Sequence, residues 1–404
     1  MSKDARPLLV VIAFLAFVSL GLPDAIIGVA WPSIRQTFDL SLSRLGEVLA
    51  TSMVGYLLSS ALSGSIVRRV GVGSLLLGSS VLVTLSLAIF ATAPAWWVMV
   101  ASGLLAGLGA GAVDAGINAY AADQFPPRFV TWLHACYGVG ATLGPLAMTT
   151  VLSVGLAWRW GYAIIGAVLG LMAILFLVTR SLWSVDSSKT PGSAEPAPKI
   201  ATAGQTLGQP LAWAHIAIFF IYTGLEVTAG QWLYSLLTES RGFTPALAGS
   251  CVGLYWGGLT AGRVVFGLAA GRFRRRSILR FATISAPIAA LAIGWAPAPG
   301  ITIAAAMLLG FVLAPIYPLL ISATPDRLGR AYAAHAIGFQ VSAAYLGAAA
   351  IAGAAGLFAK SYGLEVIGPF LLCASLALLA LHEIALRMPR PSPPAGLPQE
   401  FDRV

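Results

Sequence analysis

A chain of 404 residues that is 58% hydrophobic and only 10% charged, with a mean hydropathy of +0.85, lies outside the composition of soluble globular proteins. In those, about a quarter of residues are charged. Its 44 glycines exclude a soluble coiled coil and fit transmembrane helices, where small residues let backbones approach closely. The net charge of +9 does not mark a nucleic-acid binder, because the basic residues lie between apolar runs rather than along one helix face.

In chain order, Met1 to Pro7 is short and basic. The apolar stretch that follows exceeds the ~7–15 residue core of a signal peptide, so it reads as a first span. Twelve such stretches are predicted, at about 8–31, 45–67, 73–93, 96–122, 130–154, 157–180, 211–237, 245–270, 277–296, 300–323, 331–356 and 364–387. Each is long enough to cross a hydrocarbon core of about 30 Å. Ser181 to Pro210, rich in Ser, Pro, Gly and Ala, has the composition of an exposed linker. The predicted organisation is therefore an N-terminal six-helix half (1–180), a linker (181–210), a C-terminal six-helix half (211–387) and a tail (388–404).

Of 24 Lys and Arg, 18 fall on the side that holds both termini and the linker, five on the other, and Arg263 lies within a span. The positive-inside rule then predicts a multi-pass protein of the plasma (inner) membrane with both termini and the linker cytoplasmic. The densest cluster, Arg272, Arg274, Arg275, Arg276 and Arg280, follows the eighth span. Sliding one half over the other by 203 residues aligns Gly21, Gly46, Gly55, Gly64, Gly107 and Gly144 with Gly224, Gly249, Gly258, Gly267, Gly310 and Gly347. Arg69, Ser74 and Asp123 meet Arg272, Ser277 and Asp326 at the same offset. Two six-helix halves in one orientation are the parallel-repeat plan of a secondary transporter, whose site lies between them near mid-membrane.

With this layout the chain resembles the major facilitator superfamily, an all-α fold of twelve helices in two pseudo-symmetric halves. The superfamily's signature after span two departs here: Gly64-Ser-Ile-Val-Arg68-Arg69-Val-Gly71 keeps the spacing but has Arg68 in place of an aspartate. Several stretches resemble the fucose–galactose–glucose:proton symporter branch. They are Gly21-Leu-Pro-Asp24, Gly107 to Asn118, His134 to Pro145, and Tyr222-Thr-Gly224-Leu-Glu226 leading to Gln231-Trp232. The resemblance implies proton coupling and sugar binding by an acid in span one and another in span four, which fall on Asp24 and Asp114. Span four of those symporters usually carries Glu, so Asp114 is one methylene shorter.

Only three acids lie deep in a span, namely Asp24, Asp114 and Glu226. An unpaired charge at mid-membrane costs at least ~2.5–3.5 kcal/mol, so such residues normally face a cavity or a partner. At 1.5 Å per residue they stand roughly 24, 13 and 22 Å above the terminal ends of their spans, in one middle zone. Desolvation favours the neutral form of a carboxyl group, which suits a carrier that takes up a proton on one side and releases it on the other. Glu226 is either a second titrating group or a fixed ligand, and sodium competes with the proton as coupling ion. On span four, Gly107, Gly111, Asp114 and Asn118 share one face, either as a groove for a hydroxylated ligand or as a packing contact.

Gln231, Trp232, Tyr222, Tyr317 and Gln340 are candidate amide and aromatic linings of the substrate site. Pro145, Pro315 and Pro318 are candidate kinks for gating helices. Trp31, Trp96 and Trp97 read as interface anchors, Arg263 as a snorkelling side chain or the partner of an acid, and Cys136, Cys251 and Cys373 as small packing hydrophobes. The expected function is proton-coupled symport of a sugar or similar hydroxylated molecule by alternating access. The alternatives are proton-coupled export of drugs or metabolites and a non-transporting sensor of the same fold. No catalytic or metal constellation is present, so neither an enzyme nor a cofactor is expected, and the resemblance implies a monomer.

Overall fold

In a computed structural model the described residues are 5–124, 127–183, 201–268, 272–295 and 298–391. Most of the linker and the tail therefore lie outside the described residues. Twelve helical segments are long and apolar enough to cross a membrane. In chain order, spans one to six are Pro7–Thr37, Leu42–Val70, Val72–Thr92, Trp96–Asn118, Ala135–Ser153 and Trp158–Trp183. Spans seven to twelve are Pro210–Ser240, Pro245–Leu268, Arg275–Trp295, Pro299–Leu328, Arg330–Tyr362 and Leu364–Arg387. The end of the bundle near Ala5, Trp183 and Arg387 is called the terminal face below, and the other end the far face.

Two spans are interrupted. Span one is helical over Ala5–Gly21 and Ile26–Thr37, and the turn between them contains Pro23. Proline has no N–H and disfavours helix in the residue before it, so the ladder restarts through weak bonds of 3.4 Å from Asp24 N to Gly21 O and from Ile26 N to Pro23 O. Span ten is helical over Pro299–Leu313 and Ile316–Leu328, with Pro315 at the junction. Pro318 falls in the first turn of the second piece, and the carbonyl its missing N–H leaves without a partner is that of Ala314, at the junction itself, so both prolines act at the same break. Pro145 lies inside the continuous helix Pro127–Ser153.

Three of the six glycine pairs aligned by the repeat make equivalent backbone contacts in the two halves. A Cβ on Gly55 would stand 2.3 Å from Leu104 O, and one on Gly107 1.9 Å from Ser52 O, so spans two and four pack backbone to backbone. Gly258 and Gly310 do the same for spans eight and ten, at 2.3 Å from Met307 O and 2.0 Å from Tyr255 O. Gly144 meets Leu22 O at 2.1 Å across spans one and five, and Gly347 meets Phe220 O at 2.0 Å across spans seven and eleven. These distances leave no room for any side chain larger than hydrogen. The glycine face of span four is thus filled by span two: Gly111 abuts Tyr56 O at 2.5 Å, and no groove for a ligand runs along it.

Between the halves, spans five and eight touch along much of their length, from Thr149 against Gly249 to Gly138 against Thr260, whereas spans one and two meet spans seven and eleven toward the far face. Arg35 at the end of span one forms a two-pronged pair with Glu239 at the end of span seven, at 2.6 and 3.2 Å. Gly28 lies against Gln231, and Gly46 of span two against Gly353 of span eleven, where a Cβ would be 3.1 Å from the opposing Cα. Toward the terminal face spans two and eleven separate: a Cβ on Gly64 would meet only Arg68 Nη1 of its own helix, at 4.0 Å, and one on Gly338 would meet no described residue within 4 Å. Two anchors expected from sequence are not at a surface. Trp31 is fully buried and Trp96 nearly so, with their rings 5.5 Å apart, and Trp96 donates to Glu47 at 2.7 Å. Trp97 is 71% exposed. Cys251 is buried and Cys136 half-buried, whereas Cys373 is exposed and fills no core position.

Candidate functional site

The break in span one sets Asp24 at the centre of the interface. Its carboxylate accepts a hydrogen bond from Tyr137 of span five at 2.5 Å, and its backbone carbonyl accepts one from Gln231 Nε2 of span seven at 2.9 Å. The residue is exposed, although elements of both halves surround it. Asp114, on the continuous helix of span four, accepts from the Tyr56 hydroxyl of span two and from Asn118 Nδ2 one turn away at 2.8 Å. Each N-half carboxylate is therefore held by a phenol from a neighbouring span.

In the C-half, Glu226 accepts from the Tyr222 hydroxyl one turn earlier, and its backbone carbonyl accepts from Tyr255 at 2.7 Å. Its free oxygen faces the Arg263 guanidinium of span eight at 3.8 Å. That guanidinium also lies over the ring of Tyr137, 5.7 Å from its centroid, so it touches both halves. Burying an arginine and a glutamate in a bilayer is tolerable only because each neutralises the other.

These groups form one cluster. Asp24 and Asp114 are within electrostatic reach of each other, and Tyr137 is within reach of Arg263 and Glu226. Tyr317 of span ten lies within reach of Asp114, Glu226 and Arg263, and its ring stands 6.3 Å from that of Tyr222. Tyr345 of span eleven stacks on Tyr56 at 3.8 Å between centroids, which closes the ring of residues across the interface. Beside Tyr255, which binds the Glu226 backbone, five tyrosines, three carboxylates, one amide and one guanidinium thus meet between the halves.

Of the residues expected from sequence, the structure brings together Asp24, Asp114, Asn118, Tyr222, Glu226 and Tyr317. Gln231 reaches the cluster only through the Asp24 carbonyl, and its side chain lies against Gly28. Trp232 is fully buried, donates to Ala352 O at 2.9 Å and packs on Gly356, so it does not meet the acids. Gln340 is buried within the C-half between Thr324 at 3.0 Å and His215 at 3.3 Å. Both polar side chains satisfy other buried groups instead of facing the carboxylates. Sequence reasoning missed Tyr56, Tyr137 and Tyr345. Tyr137 lies in the stretch from His134 to Pro145 that already stood out, while Tyr56 and Tyr345 carry no signal beyond being tyrosines inside spans. The side chain of His134 lies outside the described residues.

Twelve spans with a cluster of acids at the junction of their first and last six helices define a secondary transporter. The profile of the Major Facilitator Superfamily matches residues 12–352 and 216–403, and the chain belongs to that family. It is an integral, multi-pass membrane transporter. Among curated relatives it is similar to bypass of stop codon protein 6 of Saccharomyces cerevisiae, 23% identical over 92% of this chain and 81% of that one. It is also similar to the 3-(3-hydroxy-phenyl)propionate transporter of Escherichia coli, 27% identical over 72% of each. The crystal structure of a D-xylose–proton symporter superposes with a TM-score of 0.74 at 15% identity, covering 92% of this chain and 96% of that one.

Proposed function

We propose that the chain is a proton-coupled symporter of a hydroxylated small molecule, working by rocking of two six-helix halves around the cluster just described. The observation that carries this reading is the pair Asp24 and Asp114, two carboxylates in the membrane interior that have phenol and amide donors but, among the described residues, no cationic partner of their own. A carboxylate without a counter-ion there is most cheaply moved through a closed state with a proton on it. Coupling follows if substrate binds the protonated form better, since a ligand shifts an equilibrium only by its differential affinity. Glu226, neutralised by Arg263, acts in this reading as a fixed ligand and an organiser of the C-half wall.

Sugar is the first substrate class, supported by the fold shared with the xylose symporter and by carboxylates and hydroxyls able to bridge sugar hydroxyls. A second reading, a hydroxylated aromatic acid, is favoured by the five tyrosines and by Arg263, and by the similarity to a hydroxyphenylpropionate transporter. With the basic turns on the terminal face, both termini are cytoplasmic, the membrane is the plasma membrane and the conformation opens inward. The transporting unit is a monomer. The test is uptake into proteoliposomes of labelled glucose, xylose, fucose and 3-(3-hydroxyphenyl)propionate, with tetracycline as an export control, with and without an inward proton gradient. Gradient-driven accumulation of one of the first four supports symport. Movement of tetracycline alone, against the gradient, would replace it with export.

A further inference from the structure

The terminal face of the C-half carries a charge imbalance that transport does not use. Arg276 opens span nine, Arg327 closes span ten and Arg390 follows span twelve, so three separate elements deliver guanidinium groups to one place. Arg327 lies within electrostatic reach of both Arg276 and Arg390. It is half-buried and anchored by a bond of 2.5 Å to Ala385 O of span twelve, so it cannot swing away from them.

Among the described residues, the acids in the neighbourhood are already paired. Asp326 is paired with Arg275 at 3.0 Å, and Glu383 with Arg280 through both its oxygens, at 2.7 and 2.5 Å. A second observation is independent of the arginines. His382 of span twelve is 3% exposed, lies within reach of Glu383 as well as of Arg280, Arg327 and Arg276, and has an Nε2 with no hydrogen-bond partner among the described residues. A buried nitrogen left without a partner costs on the order of 1–3 kcal/mol, and three like charges held together repel one another. An anion bound among the arginines offsets their repulsion, and it stands next to a buried imidazole that lacks a partner among the described residues.

The position selects the anion. All three arginines stand at ends of spans, at the level of headgroups, and the helices below them turn apolar side chains outward: Phe281 and Ile284 on span nine and Ile384 on span twelve are each at least 50% exposed. We propose that spans nine, ten and twelve form a binding site for the phosphate of an anionic phospholipid, gripped by Arg276, Arg327 and Arg390 above His382. The phosphodiester accepts charge-assisted hydrogen bonds from the guanidinium groups, and its acyl chains lie along the apolar faces of spans nine and twelve.

The test uses the full-length protein in detergent, titrated separately with dioleoylphosphatidylglycerol, dioleoylphosphatidylcholine and inorganic phosphate. Lipid adducts are counted by native mass spectrometry and the melting midpoint is followed. The anionic lipid should bind and stabilise at concentrations where the zwitterionic one does neither. Arg276→Gln/Arg390→Gln should raise the half-saturating concentration roughly 30-fold, at about fivefold per arginine. Arg390→Gln alone, exposed and so safe for folding, should give the single step, and Arg44→Gln on the far face should give none. Equal response to both lipids, or a phosphatidylglycerol response unchanged in the Arg390→Gln protein, would overturn the site. Stabilisation by inorganic phosphate with nothing added by the lipid would overturn the lipid assignment and leave a soluble anion.

Discussion

Arg263→Gln tests the electrostatics of the C-half wall directly. In the native chain the guanidinium and the Glu226 carboxylate are 3.8 Å apart, with side chains only 19% and 10% exposed. At that distance and an effective dielectric constant of ~20, unit charges attract by about 4 kcal/mol. Removing the arginine forfeits that attraction and leaves a buried carboxylate supported by the Tyr222 hydroxyl alone, a loss on the order of 3–5 kcal/mol for a broken buried pair. Glu226→Gln in the same chain removes the stranded charge, so the double variant should lose much less than either single variant. The difference from additivity is the quantity of interest, and it should be at least ~2 kcal/mol. Reversible unfolding of the four proteins in detergent, followed by the burial-sensitive fluorescence of the tryptophans, measures it. Additive losses within ~0.5 kcal/mol would show that the two charges do not interact and that the pair does not organise the site.

Asp114→Asn should abolish gradient-driven accumulation while sparing equilibrium exchange, because the amide still accepts from Tyr56 but holds no exchangeable charge; normal accumulation in that protein removes Asp114 from coupling. Asp24→Asn should lose uptake, and an unchanged pH profile of transport would reduce Asp24 to a packed side chain. Gly107→Val should prevent folding into the membrane, since its Cβ would lie 1.9 Å from Ser52 O, whereas Gly78→Ala, with nothing within 4 Å, should express like the parent. Equal yields of those two variants would refute the close packing of spans two and four.

The spans and the repeat could be read because they depend on apolar length and on glycines that recur at one offset, both local properties of the sequence. The three acids could be read because hydrocarbon offers a carboxylate no neutral role. Their partners could not: Tyr56 lies 58 residues from Asp114 and Tyr137 lies 113 from Asp24, and a tyrosine inside a span looks the same whether it packs or donates. Trp31 shows the converse, since an aromatic residue near the end of an apolar run has one pattern facing headgroups and the same pattern facing Trp96. Gln340 is a site candidate for its amide and Trp232 for its ring, yet a buried amide or indole N–H is satisfied equally well by a neighbouring carbonyl or side chain. Asp24 needed the break at Pro23 to be placed, and the break needed the opposing spans to fix its direction.

The antiparallel pairing of spans two and eleven gives a direct test of rocking. Gly46 faces Gly353 near the far face, Tyr56 faces Tyr345 at the level of the site, and continuing that register brings Gly64 opposite Gly338 near the terminal face. The first pair is in contact and the last is open, so the two ends report opposite states of one motion. A disulfide requires Cα atoms about 4.4–6.8 Å apart. In a chain without Cys136, Cys251 and Cys373, the pair Gly46→Cys/Gly353→Cys should therefore cross-link promptly under mild oxidant. The pair Gly64→Cys/Gly338→Cys should resist until the halves rock toward each other. Cross-linking the far-face pair should stop transport and leave thiols at positions 64 and 338 open to a water-soluble reagent. If the terminal-face pair cross-links as fast as the far-face pair in resting protein, or if locking the far face leaves transport intact, the halves do not alternate about the tyrosine and carboxylate cluster. The mechanism built on Asp24 and Asp114 would then fail with it.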